Sequence, residues 1–88
     1  MSNVSFDKKF IKHYTVRIRR KPKLSKQYDK RYILFCQDKQ SQLLNDHPLK
    51  GDKLGLRAFS ITGDIRVVYK ETEHGYVFLD VGSHNQVY

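Results

Sequence analysis

The sequence has 88 residues, of which 39% are hydrophobic and 12% aromatic, and a chain of this length closes one small core. We therefore expect a single domain over residues 1–88. No apolar run approaches the ~20 residues that span a bilayer, and the first ten residues lack the apolar block of a secretory signal. We expect a soluble, cytoplasmic protein with no membrane partner. The lone Cys36 cannot form an internal disulfide, which agrees with a reducing compartment.

The formal net charge of +8 is unevenly distributed along the chain. Residues 1–31 hold eleven Lys and Arg against two acids, whereas residues 32–88 hold six against seven acids. A positive field of this kind attracts nucleic-acid phosphates, an acidic protein or an anionic membrane. The pattern favours nucleic acid, ahead of an acidic protein and a merely solvated surface.

Apolar residues recur at helical spacing near the start of the chain. They are Phe6, Phe10, Tyr14 and Ile18. The spacing predicts an amphipathic helix to about Arg19. The alternation within residues 15–19 is also typical of a strand, so the end of this helix stays open.

Pro22 separates this segment from a second periodic stretch, because the residue before a proline is driven out of the α region. The apolar members of that stretch are Leu24, Tyr28, Tyr32, Phe35 and Leu43. The pattern predicts a second, longer helix, which would form an α-hairpin with the first.

The remainder of the chain has the pattern of a loop followed by strands. Residues 45–55 are rich in Asn, Asp, Gly and Pro, as loops are. Strands are predicted at 56–62, 65–70 and 76–81, and residues 3–6 could add an edge strand. We expect an α+β fold in which the N-terminal α-hairpin packs on a twisted antiparallel sheet of three to four strands.

Four short segments of the second half resemble the RelE/ParE toxin superfamily, and its YafQ branch most of all. They are DHPLKG at 46–51, Arg57, GDIRVVY at 63–69 and VGSHNQVY at 81–88. The resemblance implies a RelE-like fold and the toxin of a bacterial type II toxin–antitoxin system. It further implies an endoribonuclease (an mRNA interferase) that cuts mRNA on the ribosome, without metal or cofactor. A cognate antitoxin would silence it, and operator DNA would be bound only through the antitoxin complex.

Metal-free RNA cleavage needs a base for the 2′-hydroxyl, a cation for the scissile phosphate and an acid for the departing 5′-oxygen. His84 follows the last predicted strand among small polar residues, so we expect it to be exposed and to be the leading acid–base group. The resemblance places the main catalytic histidine at this position. The alternative is an ordinary surface histidine.

Arg66 is the leading candidate for the phosphate contact. Alternation places it on the face opposite Ile65 and Val67, alongside Val68. The resemblance assigns such an arginine to the scissile phosphate, and a guanidinium suits that role because its planar fork holds two oxygens. The alternative is a solvated or ion-paired arginine.

Six further residues are candidates: the resemblance points to four of them, and Lys50 and Lys53 are loop lysines that could touch phosphates. His47 is a candidate for a second catalytic acid–base group; the alternative is that it only fixes its turn. Tyr88 is a candidate for stacking on the substrate or orienting it; the alternative is that it packs on the core. The remaining candidates for substrate or phosphate binding are Arg57, Lys50, Lys53 and Asp64. The alternative is that Arg57 is an ordinary exposed strand residue, that the two lysines only keep the loop soluble, and that Asp64 only forms its turn.

The sequence departs from the YafQ pattern at Ser60, Ile65 and Asp80, which leaves the level of activity open. The spacing of the four histidines and Cys36 indicates no metal site. Cys36 itself is expected to be a small core residue. Two other functions stay open: a ParE-like toxin that inhibits DNA gyrase without nuclease activity, and a degenerate toxin that only binds its antitoxin.

Overall fold

A computed structural model describes residues 3–88, which form helices packed on one five-stranded sheet. The strands are β1 (Val4–Phe6), β2 (His47–Pro48), β3 (Arg57–Ser60), β4 (Ile65–Thr72) and β5 (Gly75–Ser83). The helices are α1 (Lys8–Tyr14, continued as a π-helix over Thr15–Arg19), α2 (Pro22–Gln37) and α3 (His84–Val87). Two 3-10 turns lie at Gln42–Leu44 and Gly51–Lys53.

The predicted α+β architecture, with an α-hairpin on a sheet, is confirmed. The sheet differs from the prediction in two respects: it has five strands in the order β1-β5-β4-β3-β2, and β1 runs parallel to β5. The sheet is therefore mixed. Within residues 3–88, no helix has the length and apolar character that crossing a bilayer requires.

The first helix begins later than its apolar spacing predicts. Phe6 belongs to β1, and the helix starts after Asp7, whose carboxylate accepts the Lys9 backbone N–H at 2.9 Å. This is an N-cap bond, which satisfies a backbone donor that a helix start leaves free. Phe6 still stacks on Phe10 of the helix, with ring centroids 5.4 Å apart, which explains why it fits the helical spacing.

The same helix reaches Arg19, as predicted, but its last five residues widen into a π-helix. The Thr15 hydroxyl donates to the Ile11 carbonyl at 2.9 Å, and such side-chain bonds to the preceding turn compete with the regular helical bonds. Ile18 is fully buried at the end of this segment. The β-branched run therefore distorts the helix without turning it into a strand.

The second helix has Pro22 at its first turn, where the missing N–H costs nothing, and it buries Tyr28 and Phe35. The inclusion of Leu43 in this helix was wrong. The chain leaves the helix at Asp38 with φ −150° and ψ 80°, and Leu43 lies in a later 3-10 turn with 65% of its surface exposed.

Strand register divides the sheet into two faces. Phe59, Val67 and Val81 pair across β3, β4 and β5 on the side that packs against α1 and α2, which we call the helix face. Ala58 and Val68 pair on the opposite side, which we call the outer face. The main core on the helix face is rich in aromatic rings: Phe10, Tyr28, Phe35, Phe59, Tyr69 and Phe78.

Two buried tyrosines are expected to make the fold sensitive to alkali. Burial raises the pKa of Tyr28, and burial together with a hydrogen bond to Asp46 raises the pKa of Tyr69. Above pH ~10 the unfolded chain ionises these phenols while the folded chain keeps them protonated, so stability falls as pH rises. Each phenol lowers the free energy of unfolding by up to about 1.4 kcal/mol for each pH unit in this range. Urea unfolding between pH ~8 and ~11 measures how steeply the unfolding free energy falls with pH. Tyr28→Phe should make this fall less steep. An unchanged slope in that variant contradicts the role given to Tyr28.

Candidate functional site

Three of the candidate residues meet where β4 and β5 approach α3. The imidazole of His84 packs edge-on against the ring of Tyr88, with centroids 4.6 Å apart and planes at 87°. The guanidinium carbon of Arg66 lies 5.5 Å from the centroid of the same ring. His84 is exposed and Tyr88 is 40% exposed, so both remain open to solvent.

The one-turn helix α3 holds His84 in this position. Val87 is buried on the outer face against Leu49, Ala58 and Val68. The Gln86 side-chain oxygen accepts the Ser83 backbone N–H at 2.8 Å, one half of a capping box. A buried residue and a cap therefore fix both ends of the turn and leave the imidazole outside.

Arg66 lies on the outer face of β4, paired with Ser60 and Gly82, as its alternation predicts. Its Nε and Nη2 donate to the carbonyls of Asp64 and Gly63 at 3.4 Å each, which is long for a hydrogen bond. None of the carboxylates within residues 3–88 forms an ion pair with it. Its charge is thus available to an anion.

A cavity of about 470 Å³ opens next to Tyr88, and we call it the loop cavity. Besides Tyr88 it is lined by His47, Lys50 and Lys53, together with Pro48, Leu49 and Asp52. The predicted loop residues therefore do gather beside the aromatic ring that His84 and Arg66 share.

The backbone fixes the tautomer of His47. Its Nδ1 lies 2.7 Å from the carbonyl oxygen of Asn45. A carbonyl oxygen only accepts, so Nδ1 must donate, and in the neutral ring the proton is on Nδ1 and the Nε2 lone pair is free. The turn-fixing role and an acid–base role are therefore compatible in this residue.

Arg57 does not join this group. Its side chain lies on the helix face, where Nε and Nη2 each lie 2.7 Å from Oδ1 of Asp46. Tyr69 donates a hydrogen bond to the other oxygen of the same carboxylate. Burial opposes the charge of Arg57, but its bonds to Asp46 and Tyr69 outweigh that and raise its pKa.

Asp64 does not line the loop cavity. It lines a different cavity, of about 400 Å³, with Arg17, Lys21 and Ser83 among the other lining residues. Its backbone carbonyl, rather than its carboxylate, contacts Arg66. Its position in the turn between β3 and β4 agrees with the turn-forming alternative.

Sequence reasoning missed a charged network that supports the end of β5. Asp80 is 6% exposed, and its Oδ1 lies 2.6 Å from His13 Nδ1 and 3.6 Å from Arg17 Nη1. Arg17 also donates to the Val81 carbonyl at 3.0 Å. Lys9, His13 and Arg17 recur every four residues along the first helix, which is the one sequence signal for this network.

The network also fixes the space around Gly82, two residues before His84. A Cβ built on this glycine would lie 2.6 Å from Gln86 Oε1 and 2.7 Å from Arg17 Nη1. The ends of the Gln86 and Arg17 side chains therefore lie over this residue, and a larger residue there would displace them. Within residues 3–88, no group of three or more His, Cys, Asp and Glu side chains is placed to hold a metal ion.

The fold matches several solved toxins. Escherichia coli YafQ superposes with a TM-score of 0.83 at 18% identity over 100% of this chain and 99% of that one. The E. coli DinJ–YafQ toxin–antitoxin complex gives 0.81 at 19% identity, over 99% and 97%. A metal-bound toxin from Helicobacter pylori gives 0.78 at 24% identity, over the full length of both chains. At these identities the likeness shows a shared fold.

Sequence comparison gives the family directly. Curated protein sequences contain no match to this chain. A family model described as the bacterial toxin YafQ of type II toxin–antitoxin systems matches residues 2–88. Because this match spans nearly the whole chain, the protein belongs to the YafQ family of bacterial type II toxins.

Proposed function

We propose that this toxin is a ribosome-dependent endoribonuclease that cleaves mRNA by acid–base catalysis without a metal ion. One observation carries the proposal: His84, which is exposed, and Arg66, whose charge is unpaired among residues 3–88, pack against the same Tyr88 ring. A ribose phosphate lodged beside that ring would meet a proton-transfer group and a cation together.

The chemistry transfers two protons and breaks one P–O bond. His47 Nε2, with its free lone pair, takes the proton of the 2′-hydroxyl as that oxygen attacks the phosphorus. Arg66 stabilises the charge that grows on the phosphate oxygens. His84 gives a proton to the 5′-oxygen as its bond to phosphorus breaks, which leaves a 2′,3′-cyclic phosphate and a 5′-hydroxyl.

Three further candidates bind the strand on either side of the scissile phosphate. Tyr88 stacks on a base, since its ring is partly exposed, and Lys50 and Lys53 take phosphates that enter the loop cavity. Contact between Arg57 and RNA would require breaking its pair with Asp46. We therefore assign Arg57 to holding the DHPLKG loop against the sheet.

The partners follow from charge and from the family. The first helix and α2 carry most of the positive charge. Arg17 of the first helix reaches the end of β5, close to the site. These helices would therefore hold ribosomal RNA while the site acts on mRNA. E. coli YafQ is solved in a complex with DinJ that is described as toxin–antitoxin. We infer a cognate antitoxin for this chain, with operator DNA bound only through that complex.

The proposal is tested by inducing the gene in growing bacteria and mapping messenger 5′ ends. Wild type should produce cuts in phase with codons, and His84→Ala should not. DNA damage with intact messengers would contradict the proposal in favour of a ParE-like gyrase inhibitor. Absence of toxicity would contradict it in favour of a degenerate, antitoxin-binding homologue.

Purified protein is expected to cut naked mRNA slowly and mRNA in programmed ribosomes rapidly. The site is open to solvent on one side, so the ribosome must hold the strand in line for attack. Primer extension on the same transcript, with and without ribosomes, measures the difference. Equal rates in both reactions contradict the ribosome dependence.

Gly82→Ala is expected to slow cleavage by a few-fold, up to about tenfold, because small displacements of catalytic groups are costly. The new methyl group displaces Gln86 and Arg17, which removes the cap of α3 and shifts His84. The loss should appear in kcat more than in KM, with a fall of about 1 kcal/mol in unfolding free energy. Ser5→Ala is the control, because Ser5 is exposed on β1; equal activity of the two variants would show that α3 does not depend on this contact.

A further inference from the structure

Arg66 borders a second cavity that the proposed chemistry does not use. This cavity has a volume of about 320 Å³ and lies beside the turn between β3 and β4, and we call it the turn cavity. Its lining includes Arg31, Leu43, Ser60, Thr62 and Arg66. Arg66 thus stands between Tyr88 on one side and the turn cavity on the other.

The lining of the turn cavity matches an anion. Two arginines, Arg31 and Arg66, line it, and none of its lining residues is acidic. The Thr62 hydroxyl oxygen accepts the backbone N–H groups of Asp64 and Ile65 at 3.3 and 3.0 Å, so its own proton is free to be donated. Ser60 adds a second hydroxyl.

Arg31 is held in place for such a contact. It projects from α2, is half-buried, and donates from Nη1 to the Leu43 carbonyl. A guanidinium has five donors, so most of them remain for another acceptor. The exposed Leu43 side chain forms an apolar rim next to these charges. Positive charge, hydroxyl donors and an apolar rim together suit the phosphate and sugar of a nucleotide.

We propose that the turn cavity binds the phosphate of the nucleotide adjacent to the scissile one, with Arg31 as its principal ligand and Arg66 as the wall shared by both phosphates. The inference rests on the proposed nuclease function, since it assigns that reaction a second RNA subsite. It extends the path of the strand from the loop cavity past Tyr88 and Arg66 to the β3–β4 turn.

The test measures binding of uncleavable 2′-O-methyl RNA to the full chain at several salt concentrations. Arg31→Gln removes the charge and keeps an amide donor for the Leu43 carbonyl. It should weaken binding of a trinucleotide, which has two phosphates, about tenfold, and lower the salt slope by about 0.7. A dinucleotide, whose one phosphate is held by Arg66, should bind as before.

Lys30→Gln is the matched control, because Lys30 is the exposed neighbour of Arg31 on α2 and the charge change is the same. Trinucleotide binding that is equal in the two variants overturns the inference. Equal weakening of dinucleotide and trinucleotide by Arg31→Gln overturns it too, because the charge then acts as a diffuse field. If Arg31→Gln does not fold, Leu43→Glu introduces a negative charge at the rim of the cavity instead, with Ile33→Glu on the exposed side of α2 as its control.

The readout does not depend on cleavage, so the two proposals fail separately. A protein that cuts no RNA but loses trinucleotide binding in Arg31→Gln keeps the subsite and rejects the nuclease. A protein that cuts RNA and binds the trinucleotide equally well with and without Arg31 keeps the nuclease and rejects the subsite.

Discussion

His84→Ala is expected to lower the rate of ribosome-dependent cleavage about 100- to 10,000-fold, the usual contribution of one acid–base group. The side chain is exposed and packs on the Tyr88 ring, so its loss removes the proton donor and leaves the core intact. Single-turnover cleavage on programmed ribosomes measures the effect. Urea unfolding of the same variant should be close to wild type.

His74→Ala is the control, because that imidazole is 86% exposed in the turn between β4 and β5. It should cleave at the wild-type rate. A substrate with sulfur in place of the scissile 5′-oxygen sharpens the test, since a thiolate leaves without a proton. If His84 is the acid, the defect of His84→Ala shrinks on this substrate; an undiminished defect assigns His84 to a different role.

Arg66→Ala is expected to lower the cleavage rate about 100- to 1,000-fold, as when one preorganised donor to a developing negative charge is removed. The two bonds that Arg66 makes to backbone carbonyls are both 3.4 Å long, so the fold loses little. The loss should fall on kcat, because the charge on the phosphate grows toward the transition state. Rapid-quench measurement at saturating enzyme reports this step directly.

Arg66→Lys separates charge from geometry. The ammonium keeps the positive charge but cannot hold two phosphate oxygens in a planar fork, so an intermediate rate is expected. Lys70→Ala is the control, because Lys70 is exposed on the same strand, four residues further along. A Lys70→Ala defect as large as that of Arg66→Ala would reduce the role of Arg66 to a general contribution to surface charge.

The sequence predicted the surroundings of Arg66 well because strand alternation is a local property. Val67 packs in the main core and Val68 in the outer cluster, so Arg66 falls on the outer face as expected. The exposure of His84 followed in the same way from its position just past β5. The gathering of His84, Arg66 and Tyr88 rested on the family resemblance, and the structure brings these three together.

Contacts between residues far apart in the sequence could not be predicted, and they decide the remaining features. Alternation along β3 places Arg57 on the helix face with Phe59, but its pairing there with Asp46 joins segments that no local pattern links. Asp80 meets His13 across 67 residues of sequence, which no local pattern reports. Phe6 fits a helical spacing because its ring stacks on Phe10, although its backbone belongs to a parallel edge strand.

The double variant His84→Ala/Arg66→Ala tests the central claim most directly, because groups that act on one phosphate lose their effects as a unit. If both side chains serve the same scissile bond, the double variant should cleave mRNA on ribosomes about as slowly as the slower single variant. If the two defects simply multiply, the histidine and the arginine act independently, and a shared site beside Tyr88 is contradicted.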